Sequence, residues 1–195
     1  KNTMLEAGIK KFVVVVSPEN RKLISKIVED ENTKIIVQDS PIGTGNALLI
    51  TEYFFENQDI GLVVVGADAF GFTVENIKDL LSIDEKYYQA SLISFWSHSI
   101  KGYSTVVIQN QQLHSIWEEA DREDDLHAVL GGYVNAGIYC FNSKILFENL
   151  SKITPHKITG EYFLTDIFKY LDLYKTFVLQ VKNVILNINT PEDLQ

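Results

Sequence analysis

The feature that most constrains this chain is an alternation of short apolar runs with stretches of helical spacing. Residues 12–16 and 60–65 are almost continuously apolar, which is typical of strands covered on both faces of a sheet. A further strand is predicted at 34–38, and helical spacing recurs over 23–28 and 47–55. This strand–helix order predicts a parallel sheet with right-handed crossover connections.

The remaining sequence continues the mixture of strands and helices. Helices are predicted at 74–81, 143–150 and 161–173, and strands at 89–96, 104–109, 113–118, 133–141, 176–181 and 184–188. Asn110 and Gln111 predict a tight reversal, and Thr190-Pro191 a capped helix start. We therefore expect one α/β domain over 1–195, with a doubly wound, mostly parallel, Rossmann-like sheet.

Composition and charge exclude several classes of protein. The formal net charge is −9, from 17 basic and 26 acidic residues, which argues against a nucleic-acid surface. No apolar run approaches the roughly 20 residues that span a bilayer. The single cysteine, Cys140, is predicted to be a buried thiol and has no partner for an internal disulfide. Without a signal peptide, a cytoplasmic location is expected.

Two loops lie where parallel sheets bind ligands, beyond the carboxyl ends of strands. The first is 39–46, in which Gly43 and Gly45 allow close approach of the backbone and the next helix offers free N–H groups. A glycine turn without a ligand is the alternative. The second is 66–73, where Asp68 follows a buried strand and could hold a metal ion on a phosphate, or else cap the next turn.

Other polar residues are ambiguous when taken singly. Asn189 ends the last predicted strand and alone is most simply a turn residue. Glu118 and Asn135 flank an acidic loop, and either could be an ordinary strand residue. The histidines show no metal-ligand spacing and are interpreted as structural or surface residues; they are His98, His114, His127 and His156.

The order of these segments carries more weight than any one of them, and it resembles the sugar nucleotidyltransferases. The similar segments are Gln38 with Gly43 to Ala47, Gly66-Ala67-Asp68, Gly102-Tyr103, Ile116-Trp117-Glu118, Asn135-Ala136-Gly137-Ile138-Tyr139, Gly160 to Asp166, and Asn189 to Leu194. The resemblance is closest to the uridylyltransferase domain of bifunctional N-acetylglucosamine-1-phosphate enzymes. It runs from about Leu5 to the end of the sequence.

The resemblance implies a role for each matching residue. Gln38, Gly43 and Thr44 would contact the nucleobase, and Asp68 and Asn189 would hold Mg²⁺. The sugar side of the pocket would include Gly102, Glu118, Asn135, Glu161, Tyr162, Thr165 and Asp166. The implied substrates are a nucleoside triphosphate and a sugar 1-phosphate, with no nucleic acid or membrane partner and the oligomeric state left open.

The sequence also departs from the family pattern. Asn46 stands where histidine is usual, Ala67 replaces a glycine, Gly66 an aromatic residue, and Asn187 a glycine. The second glycine and the arginine expected within 102–105 are absent. The family's opening strand and its glycine-rich loop, which cradle the triphosphate, have no match. We therefore expect that this segment is absent from 1–195.

The implied reaction is transfer of a nucleotidyl group, expected to be uridylyl, to a sugar 1-phosphate, expected to be N-acetylglucosamine 1-phosphate. Three alternatives remain from the sequence. The enzyme could use another nucleotide, as thymidylyl-, cytidylyl- or guanylyltransferases do. It could be a catalytically dead homologue that binds a nucleotide sugar. It could also be an unrelated doubly wound binding domain.

Overall fold

The computed structural model describes residues 1–56, 58–84, 86–122 and 131–188. The helices in these ranges are Asn2–Glu6 (α1), Arg21–Val28 (α2), Thr44–Leu49 (α3), Val74–Leu81 (α4) and Ser143–Leu150 (α5). The strands are Phe12–Val16 (β1), Thr33–Val37 (β2), Gly61–Val65 (β3), Ala69–Phe70 (β4), Ala90–Ser97 (β5), Thr105–Gln109 (β6), Gln112–Trp117 (β7), Gly132–Asn142 (β8), Thr176–Val181 (β9) and Leu186–Asn187 (β10). No described helix has the length and apolarity that crossing a bilayer requires.

The central sheet has six strands in the order β3-β8-β5-β9-β7-β6. β5 and β9 are parallel, whereas β8 runs antiparallel to both of its neighbours, β3 and β5. β1 and β2 form a separate parallel pair, and the short strands β4 and β10 pair antiparallel. The α/β class is confirmed, but the sheet is mixed rather than mostly parallel, because the β6–β7 hairpin reverses the chain before β8.

Apolar residues cover both faces of this sheet. On one face Leu92 and Phe141 pack with Leu146 of α5. On the other face Ile93 packs with Ile77 of α4. These side chains are almost completely buried, and each contributes about 1.5–3 kcal/mol relative to an exposed position. Consecutive residues of β5 thus pack on opposite faces of the sheet, as expected for a sheet covered on both faces.

Two segments differ from what their local residues favour. Ser17-Pro18 is a pair typical of helix starts, but the Ser17 carbonyl accepts from Asn20 and Arg21 N–H in a turn, and α2 begins at Arg21. The segment 161–173 was expected to be one helix. It contains instead an extended start and the 3-10 segments Leu164–Lys169 and Leu173–Lys175. Its first backbone groups bond to the 42–45 loop, so they are not available to a helix.

The predicted reversal between β6 and β7 is confirmed, and its backbone conformation is energetically unfavourable. Asn110 and Gln111 both adopt positive φ, at 52° and 61°. This left-handed conformation costs a side-chain-bearing residue about 1–2 kcal/mol, although asparagine tolerates it. Gln111 is exposed, so its side chain offers little compensation.

We therefore expect that Gln111→Gly stabilises the protein, by about 0.5–1 kcal/mol after the extra entropy of the unfolded glycine is subtracted. The measurement is the free energy of unfolding in urea. Gln109→Gly is the matched control, because Gln109 is equally exposed but lies in β6, where glycine destabilises. A stability loss in both variants would contradict the interpretation of the turn.

Candidate functional site

The first part of the site is the turn that follows β3. Gly66 directly follows this strand, and Asp68 lies two positions later, half-buried. A Cβ atom added at Gly66 would lie 2.6 Å from Asp68 Oδ1. The Asp68 carboxylate therefore folds back over Gly66. A larger residue at position 66 would displace this carboxylate. Asp68 is thus held just beyond the carboxyl end of β3, the position that the sequence predicted.

A bulge in β8 joins this turn to Asn135. The pairing with β5 shifts between Leu92 and Ser94, whose partners are Tyr139 and Asn135. Gly137, inside the bulge, has a φ of 68°, which favours glycine. Its carbonyl accepts from Gly66 N–H at 2.8 Å, and its N–H donates to Asn135 Oδ1 at 3.1 Å. The bulge thus connects the Asp68 turn with Asn135, which is a predicted sugar-binding residue.

Ser104 joins Asn135 to Glu118. The Ser104 carbonyl accepts from Asn135 N–H at 2.9 Å, and its hydroxyl donates to Glu118 Oε2 at 2.7 Å. The hydroxyl of Thr165 donates to the other oxygen, Glu118 Oε1, in a short hydrogen bond. Three predicted sugar-binding residues are therefore brought together, and the sequence did not single out Ser104, which connects two of them.

The predicted nucleobase loop is bound to the segment before Thr165. Tyr162 N–H donates to the carbonyl of Ile42 at 2.8 Å, and its carbonyl accepts from Gly45 N–H at 2.7 Å. Leu164 N–H donates to Thr44 Oγ1 at 3.0 Å. Thr44 therefore has a structural bond besides its predicted contact with a base. These bonds place the predicted base loop and sugar segment side by side.

The amide of Gln38 is buried and oriented. Its Nε2 donates to Asn46 Oδ1 at 2.8 Å and to the Gly43 carbonyl at 3.3 Å. Because a carbonyl can only accept, the Gly43 contact fixes which end of the amide is nitrogen. Oε1 is left as an acceptor. Asn46, where the family usually has histidine, therefore holds the predicted base-contacting side chain.

The site is acidic and has few counter-charges. No ion pair involves Asp68 or Glu118 within the described residues. Burial raises the pKa of Tyr139 well above its usual range, the hydrogen bond from Asn135 opposes this, and the charges of Glu118 and Asp68 raise it further. The phenol therefore stays neutral.

Three predicted residues are less directly involved. Gly102 N–H donates to Glu119 Oε1 at 2.8 Å, so this donor is already used. Glu161 is exposed, and its carbonyl accepts from His156 N–H. Asn189 lies outside the described residues, so its predicted role stays a prediction. The preceding residue, Ile188, donates its N–H to the Asp68 carbonyl at 2.9 Å.

His156 also has a structural role that links two loops. Its Nε2 lies 2.9 Å from Asp121 Oδ1, in the 3-10 segment that follows Glu118. Thr159 N–H donates to Nδ1, so Nε2 carries the proton that Asp121 accepts in the neutral ring. The prediction that this histidine is structural agrees with the geometry.

A hard divalent cation is compatible with the donor set. In the described ranges no cluster of three histidine, cysteine or acidic side chains is present. Mg²⁺ does not require such a cage, because it keeps several waters and uses one or two carboxylates together with substrate phosphates. The Asp68 carboxylate is half-buried and has no ion-pair partner in the part of the chain that the structure describes, so it fits this mode of binding.

Comparison with known proteins identifies the family. The model of the family described as nucleotidyl transferase matches residues 1–181. The chain belongs to the nucleotidyl transferase family. The prediction of the family and of its enzyme class is thereby confirmed.

Curated relatives of this nucleotidyl transferase chain share part of their length with it. The bifunctional protein GlmU of Clostridium novyi is 28% identical over 172 residues, which cover 87% of this chain and 37% of the relative. GlmU of Clostridium kluyveri strain ATCC 8527 is 32% identical over 170 residues, covering 85% and 36%. The chain thus spans little more than a third of the relatives it matches.

Solved structures of the same fold have lower sequence identity. A putative glucose-1-phosphate thymidylyltransferase from Bacillus anthracis, in complex with sucrose, superposes with a TM-score of 0.77 at 19% identity. The match covers 98% of this chain and 76% of that one. HddC from Yersinia pseudotuberculosis, complexed with GMP-PN, gives 0.70 at 18% identity, covering 98% and 79%. At such identities these matches support the fold alone.

The close approach of the 42–45 loop to Tyr162 requires glycine at position 43. Gly43 has a φ of 119°, and an added Cβ would lie 2.6 Å from the backbone N and O of Tyr162. Gly160 also has a positive φ, 74°, but nothing lies within 4 Å of its Cβ position. We expect Gly160→Ala to cost about 1–2 kcal/mol and Gly43→Ala clearly more, because only Gly43 adds a clash with rigid backbone.

Unfolding free energies of the two variants provide the measurement. Equal costs would show that the 42–45 loop separates from Tyr162 without penalty, contrary to the hydrogen bonds observed between them.

Proposed function

We propose that this chain is the catalytic body of a sugar-1-phosphate nucleotidyltransferase that transfers a uridylyl group to N-acetylglucosamine 1-phosphate. The observation that carries the proposal is the continuous hydrogen-bonded network from the Asp68 turn, through Asn135 and Glu118, to the Gln38 loop. This network joins residues that the resemblance implicates in metal, sugar and base binding, which supports a shared site for the three. The cytoplasmic location expected from the sequence is part of the same proposal.

The Gln38 amide supports recognition of a base with an N–H donor. Both Nε2 hydrogens have partners in Asn46 and Gly43, so Oε1 is the atom left for a ligand. An acceptor at this point suits the N3–H of uracil or thymine, or the N1–H of guanine, and does not suit the unprotonated N3 of cytosine. The similarity to the uridylyltransferase domain favours uracil among these bases.

The Glu118 carboxylate supports recognition of a sugar. Ser104 and Thr165 each donate to one of its oxygens, which fixes its orientation while leaving lone pairs free. Sugar hydroxyl groups can donate to those lone pairs. Asn135, oriented by Gly137, adds an amide N–H donor to the same wall of the site.

In the proposed reaction an oxygen of the sugar 1-phosphate attacks the α-phosphorus of the triphosphate. The new phosphorus–oxygen bond forms as the bond to the β-phosphate oxygen breaks, and pyrophosphate leaves with that electron pair. The nucleophile is already an anion, so no side chain has to remove a proton. The residues of the chain hold the base and the sugar in line, which is a large part of catalysis in such transfers.

Mg²⁺, held by Asp68 and by Asn189, would neutralise phosphate charge in this site. Positioning by the protein and charge neutralisation are then the two contributions to rate. Asp68 is the described residue that can supply the carboxylate oxygen, and its turn is fixed by Gly66 and Gly137.

We further propose that a strand carrying a triphosphate-binding loop completes the sheet next to β1 and β3. Among the described strands β1 pairs only with β2, and β3 only with β8, so each has one edge without a partner. On α2, Leu23 and Ile27 are 61% and 69% exposed, and no residue of this helix is buried. These unpaired edges and apolar surfaces support an additional element, which we place outside 1–195.

The function is tested by screening nucleoside triphosphates against sugar 1-phosphates with Mg²⁺ and measuring pyrophosphate release. We expect the highest kcat/KM with UTP and N-acetylglucosamine 1-phosphate, and stronger activity in a protein form that carries the additional strand. Preference for another pair would reassign the substrates within the family. Binding of nucleotide sugars without any release, also in the longer form, would indicate a catalytically dead homologue.

Two substitutions test the metal-binding turn. Asp68→Asn should lower turnover by at least about 100-fold, because the carboxylate charge on the metal is lost. Gly66→Ala should lower turnover by about tenfold or more with little change in stability, because the new Cβ displaces the flexible end of Asp68. Turnover is measured at saturating substrates across a range of Mg²⁺ concentrations.

Asp79→Asn and Gly132→Ala are the controls. Asp79 is exposed on α4, and a Cβ at Gly132 would only contact Ile100 at 3.4 Å. Near-normal turnover in Asp68→Asn would refute the metal-binding role of this residue.

A further inference from the structure

Tyr139 is a buried phenol that the proposed reaction does not use directly. It lies in β8, paired with Val64 of β3 and Leu92 of β5, and its side chain is 5% exposed. Its ring packs against Phe141 and Phe168, with ring centroids 5.6 and 6.1 Å apart. The hydroxyl leaves this apolar cluster and accepts a hydrogen bond from Asn135 Nδ2 at 2.6 Å.

The bulge makes this contact possible. Asn135 and Tyr139 are four positions apart along the chain, and in a regular strand this corresponds to about 13 Å between their Cα atoms. In β8 these residues pair with Ser94 and Leu92 of β5, which are only two residues apart. The extra residues are taken up around Gly137, so the tyrosine side chain can reach back along its own strand to Asn135.

The donors and acceptors of Asn135 are then almost fully assigned. Oδ1 accepts from Gly137 N–H, which can only donate, so the orientation of the amide is defined. One hydrogen of Nδ2 goes to the Tyr139 oxygen. The second hydrogen remains for a ligand. The side chain is held at both ends, which is the arrangement that preorganises a ligand-binding amide.

The surroundings of the hydroxyl exclude a role as acid or base. Burial and the negative charges of Glu118 and Asp68 keep the pKa of Tyr139 far above neutral pH. The phenol therefore keeps its proton at neutral pH, and its contribution is the position of its oxygen.

We propose that Tyr139 is a positioning residue for the sugar subsite, which holds the Asn135 amide so that its free N–H meets an oxygen acceptor of the sugar phosphate. This inference rests on the proposed function, because it assigns Asn135 to the sugar. Tyr139 does not act on the predicted base-contacting residue Gln38, because Gly43 and Asn46 fix the Gln38 amide separately.

Tyr139→Phe tests the proposal by removing one oxygen and keeping the packing against Phe141 and Phe168. The KM for the sugar 1-phosphate should rise about tenfold, as expected for loss of a buried hydrogen bond, while the KM for the nucleotide stays within about twofold. Tyr88→Phe is the matched control, because Tyr88 packs edge-on against Phe177 without a described hydrogen bond to its hydroxyl.

A double-mutant cycle separates positioning from a general effect on folding. In the Asn135→Ala background Tyr139→Phe should no longer change the KM for the sugar phosphate, because Tyr139 acts through the missing amide. An unchanged sugar KM in the single variant, or an equal rise in both KM values, would overturn the proposal while leaving the proposed function intact.

If wild-type protein releases no pyrophosphate, the same cycle is measured as dissociation constants for the nucleotide sugar by titration calorimetry. A tenfold loss of affinity from Tyr139→Phe when Asn135 is present, with no loss in the Asn135→Ala background, supports the positioning role of Tyr139 in a binding protein. The absence of both release and binding in the wild type overturns the two proposals together.

Discussion

The hydrogen bond from Gly66 N–H to the Gly137 carbonyl is the contact on which the site depends. It ties the end of β3 to the bulge of β8, and buried backbone groups of this kind must find partners. Without the bulge, Asn135 and Tyr139 would be a full four-residue rise apart, and Gly137 could not serve Asn135 and Gly66 at once. The position of Asp68 relative to the predicted sugar-binding residue Asn135 is therefore set by sheet pairing, not by the flexible side chains themselves.

Local signals account for the elements that the sequence predicted well. The helix Val74–Leu81 has a capping box between Thr73 and Asn76, and Ser143–Leu150 has an Asn142 cap. The prediction of one helix at 161–173 was wrong, although the apolar residues of this segment have helical spacing and Leu164 and Ile167 are buried. The backbone of Tyr162 is used by residues more than a hundred positions earlier. Periodicity cannot reveal such a competition, because it is a property of the fold.

The site was predictable to the extent that single residues match a family pattern. Gln38, Glu118 and Thr165 were named from the sequence, and the structure gives Glu118 and Thr165 a common hydrogen bond. Ser104 and Tyr139 were given no role from the sequence, because their contacts depend on the register shift in β8 and on the proximity of β6. A regular strand would keep Tyr139 and Asn135 too far apart to touch, so their spacing gave no signal.

The chemistry of the network also explains how an acidic chain can belong to a family of nucleotidyl transferases. Its side chains are amides, hydroxyls and carboxylates, and none of those named in the network is cationic. Such groups recognise uncharged partners, such as a base edge and sugar hydroxyls, through directed hydrogen bonds. Phosphate charge demands cations, and leaving it unpaired in a half-buried site would be costly. In the proposed reaction, recognition belongs to this network, whereas phosphate charge is neutralised by a metal ion and by cationic groups of the proposed additional strand.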